Sequence, residues 1–193
     1  MSYHHGALRE AILDAAATAV EREGVAALSL RALARQVGVT HTAPRHHFGT
    51  KRGVVTALAA QGYRMLAADV RQANEAGDFL ESGVAYTEFS RTHPAHFSVM
   101  FRPDLVEQAD EELRAALDDL YAALTGGVRA YAGSGQAAES AAGPVDVDVE
   151  ALALAAWSMV HGFATLARNG NLRPEEGQSE ADLARRALRH LRP

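Results

Sequence analysis

The twenty residues from Ser29 to Phe48 constrain the fold more tightly than any other part of this chain. Ser29 stands before an i, i+3, i+4, i+7 apolar stripe of Leu30, Leu33, Ala34 and Val37, the pattern of a short capped helix, and Gly38 supplies a residue suited to end it. A further helix must begin almost at once. Thr40 or Thr42 can cap it, Pro44 is tolerable only in a first turn and so favours a start at His41 or Thr42, and Gly49-Thr50 breaks the chain after Phe48. Upstream, Leu8, Ile12, Ala16, Ala19 and Val20 recur at helical spacing over residues 7–23, with Gly24 as the stop. Two short helices around a Gly38-Val39 turn, with the first helix as a floor, make a helix-turn-helix.

Glycine and proline divide the rest of the chain in the same way. A long helical pattern through Val55, Leu58, Met65, Leu66 and Val70 joins this head to the remainder and runs to Gly77. Helices are predicted over 79–92, 94–101 and 110–131, and the most apolar one over 147–169. Residues 132–144, rich in Gly, Ser and Ala, read as a loop. Ser179 with Asp182 three positions on forms a capping box that opens a last helix bearing Leu183, Ala187, Leu188 and Leu191. Forty alanines and 6% aromatic residues favour helix over strand. The expected class is therefore all-α, with a three-helix head over residues 1–52 and a larger helical body over 53–193.

Cysteine is absent, which excludes disulfide scaffolds, thiolate zinc sites, iron–sulfur clusters and cysteine nucleophiles. No apolar run approaches the ~20 residues that cross a bilayer, and the first ten residues lack a signal-peptide core. A cytoplasmic protein without a membrane partner is expected.

The net charge of −5 is unevenly spread. Residues 1–64 carry 8 Lys and Arg against 4 Asp and Glu, whereas residues 65–193 carry 11 against 20. A basic head on an acidic body points to a polyanion at the head. His41, Thr42, Arg45, His46 and His47 make the second helix of the helix-turn-helix too polar for a buried element, with Phe48 as its anchor. In this motif that helix enters the DNA major groove. Thr50 and Lys51 open the next helix, where free amides and the helix dipole favour a phosphate.

Catalysis would have to start from histidine, because a glycine-rich phosphate loop and a His-Glu-x-x-His pattern are missing. His46 and His47 are adjacent and point about 100° apart on a helix. His93 and His96 could share a metal on one helix, but Pro94 favours a turn there, and His161, four residues from Trp157, reads as a core histidine. No catalytic residue, metal ligand or cofactor is expected; a metal-responsive regulator using body histidines is the first alternative and an enzyme with a catalytic histidine the last. Large apolar side chains of the body are mostly packing residues. Tyr86, Tyr121, Trp157 and His161 each carry a polar group that needs a partner when buried, so with Phe89 and Met100 they are the candidate effector-binding set, suited to an apolar or aromatic molecule.

Residues 8–58 resemble the DNA-binding domain of tetracycline-repressor (TetR) family transcriptional regulators along their whole length, with Gly38, Val39, Thr40, His47, Phe48 and Lys51 meeting the family pattern. Arg45 stands where the family usually has a tyrosine, and an arginine there can bind phosphate or reach guanine O6 and N7. Trp157, His161 and Gly162 in AAWSMVHGFATL are similar to the Trp-His-Gly signature of one class of C-terminal domain, and HPAHFSVMF resembles the segment before it. The resemblance implies a homodimeric transcription factor, usually a repressor, that binds a palindromic operator in double-stranded DNA and is released by a small-molecule effector. By position it implies base-edge readout by Arg31, His41, Thr42 and possible readout by Arg45, and backbone contacts by Ser29, Thr40, His47, Thr50 and Lys51. Ser29 and Thr40 also suit plain helix caps. It further implies pairing of the last two long helices across a two-fold axis, through Leu183, Leu188 and Leu191 and the small residues Ala151, Ala153, Ala155, Ala156, Gly162 and Ala164.

Overall fold

The computed structural model describes residues 3–76, 79–133 and 148–189, and the described residues contain helices and no strand. The elements are α1 (Tyr3–Ala27), α2 (Leu30–Val37), α3 (Ala43–Phe48), α4 (Lys51–Glu75), α5 (Phe79–Thr92), α6 (Pro94–Met100), α7 (Glu111–Gly133), α8 (Val149–Arg168) and α9 (Glu180–Leu188). Contacts group them into two compact units: Met1–Arg64 with His93–Leu117, and Met65–Thr92 with Asp118–Pro193. Helices α4 and α7 each contribute residues to both units.

In the first unit, Ile12, Leu13, Ala16 and Val20 of α1 are buried, as the helical stripe requires, together with Leu28, Leu33 and Ala34 and with Val54, Val55 and Leu58 of α4. Regular α1 geometry is interrupted at Gly24, and Gly38 ends α2 at φ 76°, ψ 32°, a left-handed conformation that an L side chain resists. The amide of Gly38 reaches the Ala34 and Arg35 carbonyls, so the helix end is satisfied while the chain turns towards α3. Helix α3 begins at Ala43, later than His41 or Thr42. Thr42 serves as its N-cap residue with αR backbone angles, and Pro44 sits in the first turn, where its missing N–H costs nothing.

Polar ties fix α6 and the start of α7 within the same unit. Tyr63 donates its hydroxyl to the Met100 carbonyl, and burial pushes this phenol up to about 12. His96 Nε2 lies 3.0 Å from Gln61 Oε1. Thr56 Oγ1 accepts from the Glu107 amide at 2.9 Å, Arg52 donates to the Asp104 carbonyl, and Glu112 bridges Arg9 at 2.6 Å and Arg64 at 2.8 Å.

In the second unit the core comprises Leu66 and Val70 of α4, Tyr86 and Phe89 of α5, Leu120 and Val128 of α7, Ala153, Val160 and Ala164 of α8, and Ala184 and Leu188 of α9. Gly83 lets α5 approach its neighbours: a Cβ there would lie 2.7 Å from Leu188 Cδ1 and 3.2 Å from Val160 Cγ1. Arg185 grips Glu81 through two hydrogen bonds of 2.7 and 3.0 Å, which hold Glu81 below the usual carboxylate range. The predicted capping box is present at Ser179 and Asp182. Helix α7 continues through Gly133, past the expected start of the Gly/Ser/Ala loop, and residues 134–144 lie outside the described residues.

Helix α8 corrects the expectation that no apolar run reaches membrane-spanning length, since its 20 residues have a mean hydropathy of 1.3 over their most apolar window. Ala153, Val160 and Ala164 face the core, and the opposite side exposes Leu154, Met159 and Leu166 by 58, 42 and 45% beside Ala151, Ala155 and Gly162.

Candidate nucleic-acid interface and effector cavity

The helix-turn-helix presents its polar residues as the sequence leads one to expect. Pro44 is buried and Phe48 half-buried, one turn apart on α3, and the Arg9 guanidinium lies 5.4 Å from the Phe48 ring centre, tying the end of α3 to α1. That anchoring leaves His41, Thr42, Arg45 and His46 exposed, with His47 half-buried and its ring 5.6 Å from that of His46. Arg31 and Arg35 are exposed on α2. No Asp or Glu occurs between Glu23 and Asp69, so the cations of α2, α3 and the start of α4 share their stretch of chain with no carboxylate. This acid-free run, and exposed His46 beside Arg45, are signals that the position-by-position resemblance did not use.

The hydroxyls at this surface divide between capping and availability. Ser29 precedes α2 in extended conformation (φ −138°, ψ 127°), and its side chain makes no capping bond. Thr40 Oγ1 lies 3.2 Å from Thr42 Oγ1, so these two pair with each other, and the Thr42 side chain makes no capping bond although the residue holds the N-cap position of α3. Thr50 Oγ1 accepts from the Gly53 amide at 3.0 Å at the start of α4 and keeps its hydroxyl hydrogen to donate. Lys51 Nζ donates to the Ala26 carbonyl at 2.7 Å, closing the C-terminal end of α1. An ammonium has three hydrogens, and this contact uses one.

The second unit holds a small cavity lined by residues of α5, α7, α8 and α9 and by none of α4. Tyr86 and Trp157 are both on its wall. Trp157 Nε1, which can only donate, lies 3.2 Å from the Tyr86 hydroxyl, and His161 Nδ1 lies 3.0 Å from that same oxygen. The two rings of the Trp-His-Gly run thus converge on one phenol of α5. Burial holds the His161 imidazole below its usual value, which favours the neutral ring.

The other members of the expected effector set lie elsewhere. Phe89 is 1% exposed and borders an open groove of α4 and α5 lined by three carboxylates, Asp69, Glu81 and Glu88, of which Glu81 is held by Arg185 and Glu88 by Arg91. Tyr121 is 44% exposed, and Met100 is buried in the first unit. Ser82, four residues before Tyr86 on α5, lines the cavity and was not anticipated, although the i, i+4 spacing could have suggested it. Leu188 also lines the cavity and is 3% exposed, so it faces into its own chain; Leu183 is half-buried and Leu191 lies outside the described residues. Of the body histidines, His96 is bonded to Gln61 and His161 to Tyr86, and among the described residues no three His, Asp or Glu side chains come together.

The chain resembles known proteins over both parts of its length. A family model described as bacterial regulatory proteins, tetR family, matches residues 12–58, and one described as tetracyclin repressor-like, C-terminal domain, matches residues 79–191. No curated protein matches it. Among solved structures, a Rhodococcus sp. RHA1 protein of unknown function is 30% identical with a TM-score of 0.79, 98% of this chain and 95% of that one being covered. The TetR family transcriptional regulator PfmR from Thermus thermophilus is 21% identical with a TM-score of 0.68, over 94% of this chain and 96% of that one. The fatty acid degradation regulator FadR from Bacillus halodurans is 15% identical with a TM-score of 0.71, over 95% and 94% of the two chains. The last two show likeness of fold.

Proposed function

This chain belongs to the TetR family of bacterial regulatory proteins and is a DNA-binding transcriptional regulator, and from that premise we propose that it acts in the cytoplasm as a homodimeric repressor that a small molecule releases from a palindromic operator. Exposed polar residues of α3, on a stretch of chain that lacks acidic residues from 24 to 68, carry the DNA half of the reading. Arg31, His41, Thr42 and Arg45 read base edges in the major groove, and Ser29, Thr40, His47, Thr50 and Lys51 hold the backbone. The planar fork of Arg45 can engage guanine bidentately, so its loss would relax specificity at one base-pair position in each half-site.

The outward side of α8 supports the dimer. Leu154, Met159 and Leu166 leave a large apolar surface uncovered in the single chain, while Ala151, Ala155 and Gly162 between them allow a second helix to come close. Pairing α8 with its two-fold copy, with α9 alongside, would place two recognition helices on successive turns of DNA when their centres are about 34 to 36 Å apart. A ligand in the α5–α7–α8–α9 cavity would lower operator affinity by favouring a dimer with another spacing. Helix α7 offers the coupling a route, since its Leu124 and Val128 line the cavity and its Glu112 bridges Arg9 and Arg64, and α4 is tied to it through Arg71–Asp119 and through Asn74, which donates to the Ala123 carbonyl.

The reading is tested by fluorescence anisotropy with duplex DNA selected from a random pool. Tight, salt-sensitive binding by a dimer, with affinity that falls on Arg45→Ala, is expected; binding that is indifferent to both sequence and Arg45 would overturn it.

A further inference from the structure

Helix α3 has six residues, too few to hold its own direction, so what it presents to DNA depends on how its anchors are seated. Pro44 is buried in its first turn, whereas Phe48, its last residue, is only half-buried. The Arg9 guanidinium covers that ring, its central carbon 5.4 Å from the ring centre. An arginine side chain has much rotamer freedom and drifts from such a position unless it is held. Glu112 holds it: Oε2 accepts from Arg9 Nη2 at 2.6 Å, and Oε1 pairs with Arg64 Nη2 of α4 at 2.8 Å, so each carboxylate oxygen has its own arginine. The carboxylate is itself placed by a fixed helix start, because Glu112 is in the first turn of α7 and Asp110 Oδ1 accepts from the Leu113 amide at 2.9 Å. All of these residues belong to the first unit.

The ion pairs are partly exposed, with side chains 31 to 43% accessible, so they contribute little to stability. Their effect falls on the direction of α3. Arg45 is one turn before Phe48, so a shift of the ring passes directly to a side chain that faces DNA. By charge alone, a carboxylate in a unit that binds a polyanion is unfavourable. The sign of its effect on binding therefore separates positioning from electrostatics.

We propose that Glu112 is a positioning residue for DNA recognition, which keeps Arg9 on Phe48 and thereby fixes the direction of α3. The proposal rests on the reading of α3 as the recognition helix. Glu112→Gln keeps the shape of the side chain and removes its charge. Its affinity for a duplex that the native protein enriches from a random pool should fall about threefold to tenfold, as both α3 helices of a dimer loosen, while affinity for a scrambled duplex stays the same or rises. Glu111→Gln, the same charge change on an exposed neighbour in that turn, should bind the enriched duplex at least as tightly as the native protein. Arg9→Gln/Glu112→Gln should lose no more than Arg9→Gln alone, since the carboxylate acts through that arginine.

Amide hydrogen exchange of the free protein needs no operator. In Glu112→Gln the 43–50 peptide should exchange several-fold faster, while the 79–92 peptide of the second unit keeps its native rate. Faster exchange in both peptides would mark general destabilisation and overturn the proposal, as would native exchange of the 43–50 peptide or an operator affinity that Glu112→Gln leaves unchanged or raises. Failure of the native protein to enrich any duplex counts against the recognition reading, and the exchange rates still decide whether Glu112 holds α3.

Discussion

At Lys51 one ammonium serves both the fold and the proposed interface. One N–H closes the end of α1 on the Ala26 carbonyl, and the others stand at the N-terminus of α4, where a phosphate is favoured. Lys51→Ala should therefore weaken binding to every DNA sequence alike, reduce the salt slope by about 1 to 2 per dimer and cost about 1 kcal/mol of stability. A changed order of preference among operators, measured by anisotropy, would show that Lys51 reads bases. His96 makes a prediction about pH. Burial, aided by His93 and opposed by Asp14, holds its imidazole at about 4 instead of 6.5. The unfolded chain thus takes up a proton at a pH where the folded chain does not, so this stabilisation is present above about 6.5 and is lost as pH falls towards 4. Between pH 7 and pH 5 the urea midpoint of the native protein should fall more than that of His96→Gln; parallel curves would mean that another group controls the acid sensitivity.

At the scale of elements, α2 with Gly38 at its end, α5 and the capping box of α9 were legible because caps and apolar period act locally, whereas Ser29 precedes α2 without making the capping bond its type suggests. Helix α3 starts at Ala43, one residue beyond the later of its two expected starts, with Thr42 at the N-cap position and a turn closed by the Ala43 amide on the Thr40 carbonyl just before it. Ties between distant residues were not legible: Gln61 meets His96 across 35 positions and Arg9 meets Glu112 across 103. The same limit applies to α8 and α9, where a stripe reveals an apolar face without its partner. Leu188, expected at a dimer contact, packs instead against Gly83. Leu188→Glu should consequently unfold the chain, since a buried unpaired carboxylate costs several kcal/mol. Leu166→Glu, on the outward side of α8, should yield folded monomers. Light scattering with circular dichroism separates the two, and a dimeric Leu166→Glu protein would place the interface elsewhere.

For the whole molecule, two helices, α4 and α7, contribute residues to both units, and only α7 lines the cavity. An effector that lowers operator affinity must bind more weakly when operator is present, by the same factor, typically about 5- to 150-fold. Titrating an effector with and without operator checks this, and equal affinities would rule out release by that compound. The helix-turn-helix and the all-helical class could be read from sequence because a short turn fixes them, whereas the cavity required four elements to be assembled first. The central claim, that α3 recognises DNA, is tested most directly by selecting duplexes from a random pool with the native protein and with Thr42→Ala/Arg45→Ala. The account predicts an enriched inverted repeat with half-sites about one helical turn, or a multiple of it, apart, whose preferred bases change in the variant. No enrichment over the starting pool, or the same enriched sequence from both proteins, would contradict it.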